Sequence, residues 1–162
     1  MTAPILVLAL GNPLLRDEGV GASALERLCR RELPDSVELL DGGTAGLSLV
    51  PRFRQAERVL VLDAVRAGAE PGTILRLEGT ALPAEVFGKT SPHQLGLSDI
   101  LRAVRLAGGP REVVVLGVEP LTTEPGIGLS APVSAVVEKL VDCAVVELRR
   151  WSVATEVETC TS

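Results

Sequence analysis

Large rings are nearly missing from this chain: Phe, Trp and Tyr together make up 2% of it, and there is no Tyr at all. A core without them has to be filled by Val, Leu, Ala and Ile, in a sequence that is 46% hydrophobic. That composition suits parallel strands buried under helices. Cysteine is scarce too. Cys29, Cys143 and Cys160 are odd in number and form no CxxC pair, which excludes a disulfide framework. Cys29 and Cys143 fall within helical patterns as structural residues, and Cys160 sits in a polar tail. Basic clusters are absent: 16 Lys and Arg against 21 Asp and Glu give a net charge of −5 with no basic run. A surface that tracks phosphates needs clustered cations, so nucleic acid is not an expected partner. No long hydrophobic run occurs either. The first apolar stretch, Ile5–Leu10, is too short for a signal segment or for a span of about 20 residues, and no basic residues precede it. The expectation is a cytoplasmic protein with no membrane partner.

What is there alternates between strand and helix. Ile5–Leu10 reads as a fully apolar strand closed by the turn signal Gly11-Asn12-Pro13. Val20, Ala24, Leu25 and Leu28 are spaced for an amphipathic helix over residues 19–31. A short strand over 37–40 runs into Asp41-Gly42-Gly43-Thr44, and a helix follows it to about residue 55. Arg58–Leu62 is a third strand, running into Asp63-Ala64. Thr73–Glu78 alternates apolar and polar, and its link to the third strand is too short for a helical crossover, so it is expected to be antiparallel. A helix over 95–106 and a strand over 112–118 follow. Ser130 stands where a cap of the final helix belongs, with Pro132 in the first turn. Val133, Val136, Val137, Leu140, Ala144 and Leu148 form that helix's apolar face. The order βαβαββαβα, with right-handed crossovers, predicts a three-layer α/β/α sandwich around a mostly parallel five-stranded sheet. One domain over 1–151 is expected, with a flexible tail over 152–162.

Ligands of an open parallel sheet bind at the carboxyl ends of its strands. Four segments meet that rule: Gly11–Gly21, Asp41–Gly46, Asp63, and the exit of the last strand at Glu119. The first lacks GxGxxG in its tight turn, which argues against a dinucleotide site. Asp17 and Glu18 precede a helix, where acidic residues complement the positive end of its dipole. Glu18 also lies on the loop nearest the ligand crevice. Asp63, at the end of an apolar strand, reads as a turn residue or as a carboxylate aimed at a ligand. His93, the only histidine, reads as structural or as a ligand from a polar loop. Two carboxylates and one imidazole make a three-ligand site with open positions, for which Ni, Zn, Cu and Fe all qualify. There is no HExxH, no GxSxG and no Cys-rich cage.

Taken together, the motifs resemble those of the hydrogenase maturation endopeptidases. The matching stretches are Gly11-Asn12-x-Leu14-x-x-Asp17-Glu18-Gly19-x-Gly21, then Asp41-Gly42-Gly43-Thr44-x-Gly46, then Asp63-Ala64 with Pro71-Gly72. Ser91-Pro92-His93-Gln94-Leu95-Gly96-Leu97 follows, and then Gly117-Val118-x-Pro120 with Glu124 and Gly128-Leu129. The likeness covers residues 4–150. Two departures stand out: Ala9 where many members have Gly, and Glu18 where some have Asp.

The resemblance implies a twisted five-stranded sheet between helical layers, a phosphorylase/hydrolase-like fold. It implies an endopeptidase that removes the C-terminal extension of a nickel-iron hydrogenase large-subunit precursor after nickel insertion. Glu18, Asp63 and His93 fall on the family's metal-binding positions and are the expected catalytic and metal-contacting set, with Asp17 or Asp41 as a possible assisting base. Nickel is expected to arrive with the precursor rather than to reside in the protein, and the chain is expected to act as a monomer. Two other readings remain open from the sequence: an accessory protein that binds the nickel-bearing subunit without cutting it, and a nucleotide-dependent enzyme.

Overall fold

A computed structural model of the chain describes residues 5–79 and 96–160. Its sheet is built from β1 (Ile5–Leu10), β2 (Val37–Gly43), β3 (Arg58–Ala64), β4 (Ile74–Glu78) and β5 (Glu112–Val118), in the spatial order β2-β1-β3-β5-β4. β1 pairs in parallel with β2 and β3, β3 pairs in parallel with β5, and β4 runs antiparallel along the edge of β5. The helices are α1 (Val20–Leu28), α2 (Val50–Gln55), α3 (Leu97–Ala107), α4 (Ala131–Ser134) and α5 (Val137–Cys160).

Side chains of a strand alternate between faces, and both faces here are apolar. Ile5 and Val7 of β1, with Leu60 and Leu62 of β3, pack under α1 and α5. Leu6, Leu8 and Leu10, with Val59 and Val61, pack under α2 and α3 through Phe53, Leu97, Ile100 and Val104. This is the expected α/β/α sandwich. The stripe read from the sequence holds: Val20, Ala24 and Leu28 are buried, as are Val133, Val137, Leu140, Ala144 and Leu148.

Three local expectations shift. β2 and β3 run to Gly43 and Ala64 because their ladders with β1 and β5 carry on past the apolar residues. Ser130 stands just before α4, but its side chain makes no capping bond and is engaged elsewhere. The stretch expected to be a tail from residue 152 is helical as far as Cys160, since no glycine or proline interrupts 137–160 and Trp151 is anchored in the core. Among the described residues, no helix is long and apolar enough to cross a membrane.

Strand order fixes where a ligand can sit. The chain leaves β1 toward β2 on one side and later returns to β3 on the other. The topological switch point, and with it the ligand crevice, therefore lies at the carboxyl ends of β1 and β3.

Candidate functional site

The crevice is closed by the segment between β1 and α1. Gly11 turns the chain at φ +110, with its N–H donating to the Gly43 carbonyl at 3.0 Å. Asn12 then folds the loop back. Its side-chain oxygen accepts from the Leu14 N–H at 2.9 Å, and its carbonyl accepts from the Leu15 N–H at 3.0 Å. A single 3-10 turn, Arg16–Gly19, carries Asp17 and Glu18 and leads into α1.

Two glycines let this turn approach the strands. A β-carbon on Gly11 would run into the backbone carbonyl of Glu18 and lie 3.5 Å from Asp63 Oδ1. A β-carbon on Gly21 would meet the carbonyl oxygens of Leu62 at 2.5 Å and Leu10 at 2.8 Å. The start of α1 thus rests on the ends of both central strands, and Glu18 and Asp63 come together around Gly11.

Both carboxylates are half-buried. Loss of solvent raises the pKa of Glu18, against an N–H donated by Asn12 and the positive charge of Arg66. Asp63 is pushed up to about 7, first by burial and further by the negative charge of Glu18, while the Ala64 N–H donating to its Oδ1 at 2.8 Å works the other way. Two carboxylates in one poorly solvated crevice repel each other, and a cation placed between them relieves both the repulsion and the lost solvation. Hard oxygen donors of this kind accept nickel, zinc or iron when an imidazole completes the set.

His93 lies outside the described residues. Among the described residues no group of three or more His, Cys, Asp or Glu side chains is placed to hold a metal ion. What the fold brings together is the pair Glu18 and Asp63.

The other candidates sit elsewhere. Asp41 is exposed at the end of β2, across β1 from Asp63, and its Oδ1 accepts from the Gly43 N–H at 3.1 Å. Asp17 has no exposed surface. Its Oδ2 accepts from the N–H groups of Leu121 at 2.9 Å and Thr122 at 3.1 Å and from the Ser130 hydroxyl at 2.8 Å, and its Oδ1 accepts from the Ser130 N–H at 2.7 Å. Burial works to raise its pKa, but the bonds from Ser130, Thr122 and Leu121 outweigh it and hold the carboxyl below its ordinary range. Four bonds to a carboxylate with no exposed surface commit Asp17 to holding the loop of residues 121–130. Glu119, at the exit of β5, is buried and accepts from the Ala67 N–H at 2.7 Å, so it ties that exit to the loop after β3. Arg66 was not singled out in the sequence. It stands three residues past Asp63, where the strand-end rule reaches it, and it donates to Thr123 Oγ1 at 2.8 Å while its charge bears on Glu18.

Comparison with known proteins agrees with this architecture. A family model described as hydrogenase maturation protease matches residues 22–147. The hydrogenase 2 maturation protease of Escherichia coli is 41% identical over 152 residues, covering 92% of this chain and 93% of the relative. The hydrogenase expression/formation protein HupD of Rhizobium leguminosarum is 41% identical over 154 residues, covering 93% of this chain and 76% of the relative. Among solved structures, the hydrogenase maturating endopeptidase HybD from E. coli superposes with a TM-score of 0.81 at 42% identity, over 90% of this chain and 92% of that one.

Proposed function

This chain belongs to the hydrogenase maturation protease family, and from that premise we propose that it removes the C-terminal extension of a hydrogenase large-subunit precursor once nickel is in place, gripping the precursor's nickel through Glu18, Asp63 and His93. The observation that carries this reading is the packing around Gly11, which forces Glu18 and Asp63 into one crevice at the switch point of the sheet. His93 precedes the first described residue of its segment, Gly96, by three positions, a reach of roughly 10 Å. α3 packs on the turn of residues 46–49 beyond β2, and the chain then descends to the start of β5.

Nickel is part of the substrate in this reading. It supplies Lewis acidity to a scissile carbonyl held beside it. The chain's own groups bind and orient. Glu18, with Asn12 donating to it and Arg66 nearby, offers oxygen to the cation. Asp63, with Oδ1 held by Ala64, has a pKa near neutrality in the metal-free protein, so arrival of a cation would drive off its proton at neutral pH. Three protein ligands that leave positions open suit a metal shared with another protein and then released.

Incubating the protein with nickel-loaded precursor and weighing the large subunit by mass spectrometry tests the reading. Loss of a C-terminal peptide is expected. An intact subunit bound tightly to the chain would favour a non-cleaving accessory role instead. In the same assay His93→Ala is expected to process the precursor more than about 100-fold more slowly, a larger loss than outer partners of a metal produce, with its melting temperature close to wild type. A variant that processes normally, or one that melts far lower, would make His93 a structural residue.

A further inference from the structure

We propose that Asp17 is the positioning residue of this site: its buried carboxylate clasps the loop of residues 119–130 to the turn that carries Glu18, so that the crevice and its outer rim move as one body. The proposal rests on the reading of Glu18 as a ligand to the precursor's nickel.

The clasp is two-sided. All four donors to the Asp17 carboxylate come from the loop, from Leu121, Thr122 and Ser130. The Asp17 N–H donates back to the Thr122 carbonyl at 3.1 Å. Next to it, Arg16 is held at φ 52, a left-handed conformation uncommon for a side-chain-bearing residue, with its N–H on the Gly126 carbonyl at 3.1 Å. Gly126 in turn donates to the Leu14 carbonyl at 2.8 Å. Such a backbone persists only where its surroundings over-determine it. In a 3-10 turn, successive side chains point about 120° apart. With Asp17 locked into the loop, Glu18 is left to face the crevice.

The clasped loop also shapes the rim. Leu121 and Ile127 are 55% and 81% exposed, and Leu14, across the Gly126 bond, is 61% exposed. Thr123 receives Arg66, the cation that bears on Glu18. Only a carboxylate fits the clasp. An amide would present its own N–H groups to one of the donors and lose that bond.

Asp17→Asn and Ser130→Ala, beside wild type, test the clasp by amide hydrogen exchange and by binding to nickel-loaded and nickel-free precursor. If D17N melts cooperatively, exchange should quicken at least tenfold at Glu18, Leu121, Thr122 and Ser130 together. The preference for loaded precursor should shrink at least tenfold, a change that a purely structural role would not produce. Retained preference in a cooperatively folded D17N overturns the proposal. Where D17N does not fold, S130A decides: a preference reduced twofold or more supports the clasp, and an unchanged preference overturns it. If wild type itself shows no preference, the nickel-sensing reading fails, and exchange alone judges the clasp. Protection lost jointly at Glu18 and Ser130 supports it, and protection kept at Glu18 overturns it.

Discussion

Asp63→Asn is expected to make the metal-free protein more stable at pH 8 and to abolish maturation of the precursor. Burial penalises the charge of Asp63 and pushes its carboxyl up to about 7, well above the ordinary carboxylate range of about 4. A group whose folded pKa is raised holds its proton more tightly in the folded state. Stability is then highest below about pH 4, declines as pH rises through about 7, and is flat beyond that. Above neutrality the charged carboxylate therefore opposes folding, by a few kcal/mol at most. An amide of the same shape removes that term, and its oxygen still accepts from the Ala64 N–H. Glu18 shifts in the same direction, so wild type should melt at progressively lower temperature from pH 4.5 to 7.5. The variant should follow a shallower course and cross above it. Processing should fall more than about 100-fold, since one of the two carboxylate donors becomes a neutral amide. A variant that melts below wild type at pH 8, or that still trims the precursor, contradicts the assignment.

Gly11→Ala has the second large effect, and here stability and activity should fall together. Its φ of +110 is a conformation that side-chain-bearing residues avoid, and the added methyl would meet the Glu18 backbone carbonyl. Strain of this kind and a clash with backbone, which cannot rotate away, together cost about 3 kcal/mol or more. That corresponds to a drop in Tm of roughly 10 °C. Relief of the clash moves the 3-10 turn outward and separates Glu18 from Asp63, so residual activity should be lower than the fraction folded. Gly68→Ala is the control. Its φ of +77 is also positive, but nothing lies within 4 Å of the added carbon, so it should cost only about 1 kcal/mol and leave processing unchanged. Equal effects of the two substitutions would mean that backbone strain, not the close approach to Glu18, is what Gly11 serves.

Much of this was legible in the chain. The apolar runs of β1 and β5 carry their own boundaries, because a strand buried on both faces is a continuous hydrophobic stretch ended by a turn. The antiparallel edge of β4 followed from a connection too short for a helix. Strand-end logic reached Asp63 and the loop that carries Glu18, and the family resemblance then singled the two out. What local chemistry could not settle, apart from the resemblance, was the division of labour between the adjacent carboxylates Asp17 and Glu18. Both precede a helix and both complement its dipole, and which one enters the crevice depends on a loop more than 100 residues away. Ser130 failed as a cap for the same reason. Local chemistry favours capping, but a buried carboxylate across the fold takes the hydroxyl. Arg66 was missed because an isolated arginine past a strand end carries no motif.

Tail removal in the proposed function depends on nickel held by the precursor. Two precursor preparations, one nickel-loaded and one nickel-free, are treated with the protein in the presence of a chelator that removes stray metal, and the large-subunit mass is followed. In the proposed reading a precursor without nickel offers nothing for Glu18, Asp63 and His93 to grip, and a contact present in one substrate state and absent in the other is what creates selectivity. The loaded precursor is expected to lose its C-terminal peptide while the nickel-free one keeps its full mass; cleavage of both at the same rate would contradict a dependence on nickel.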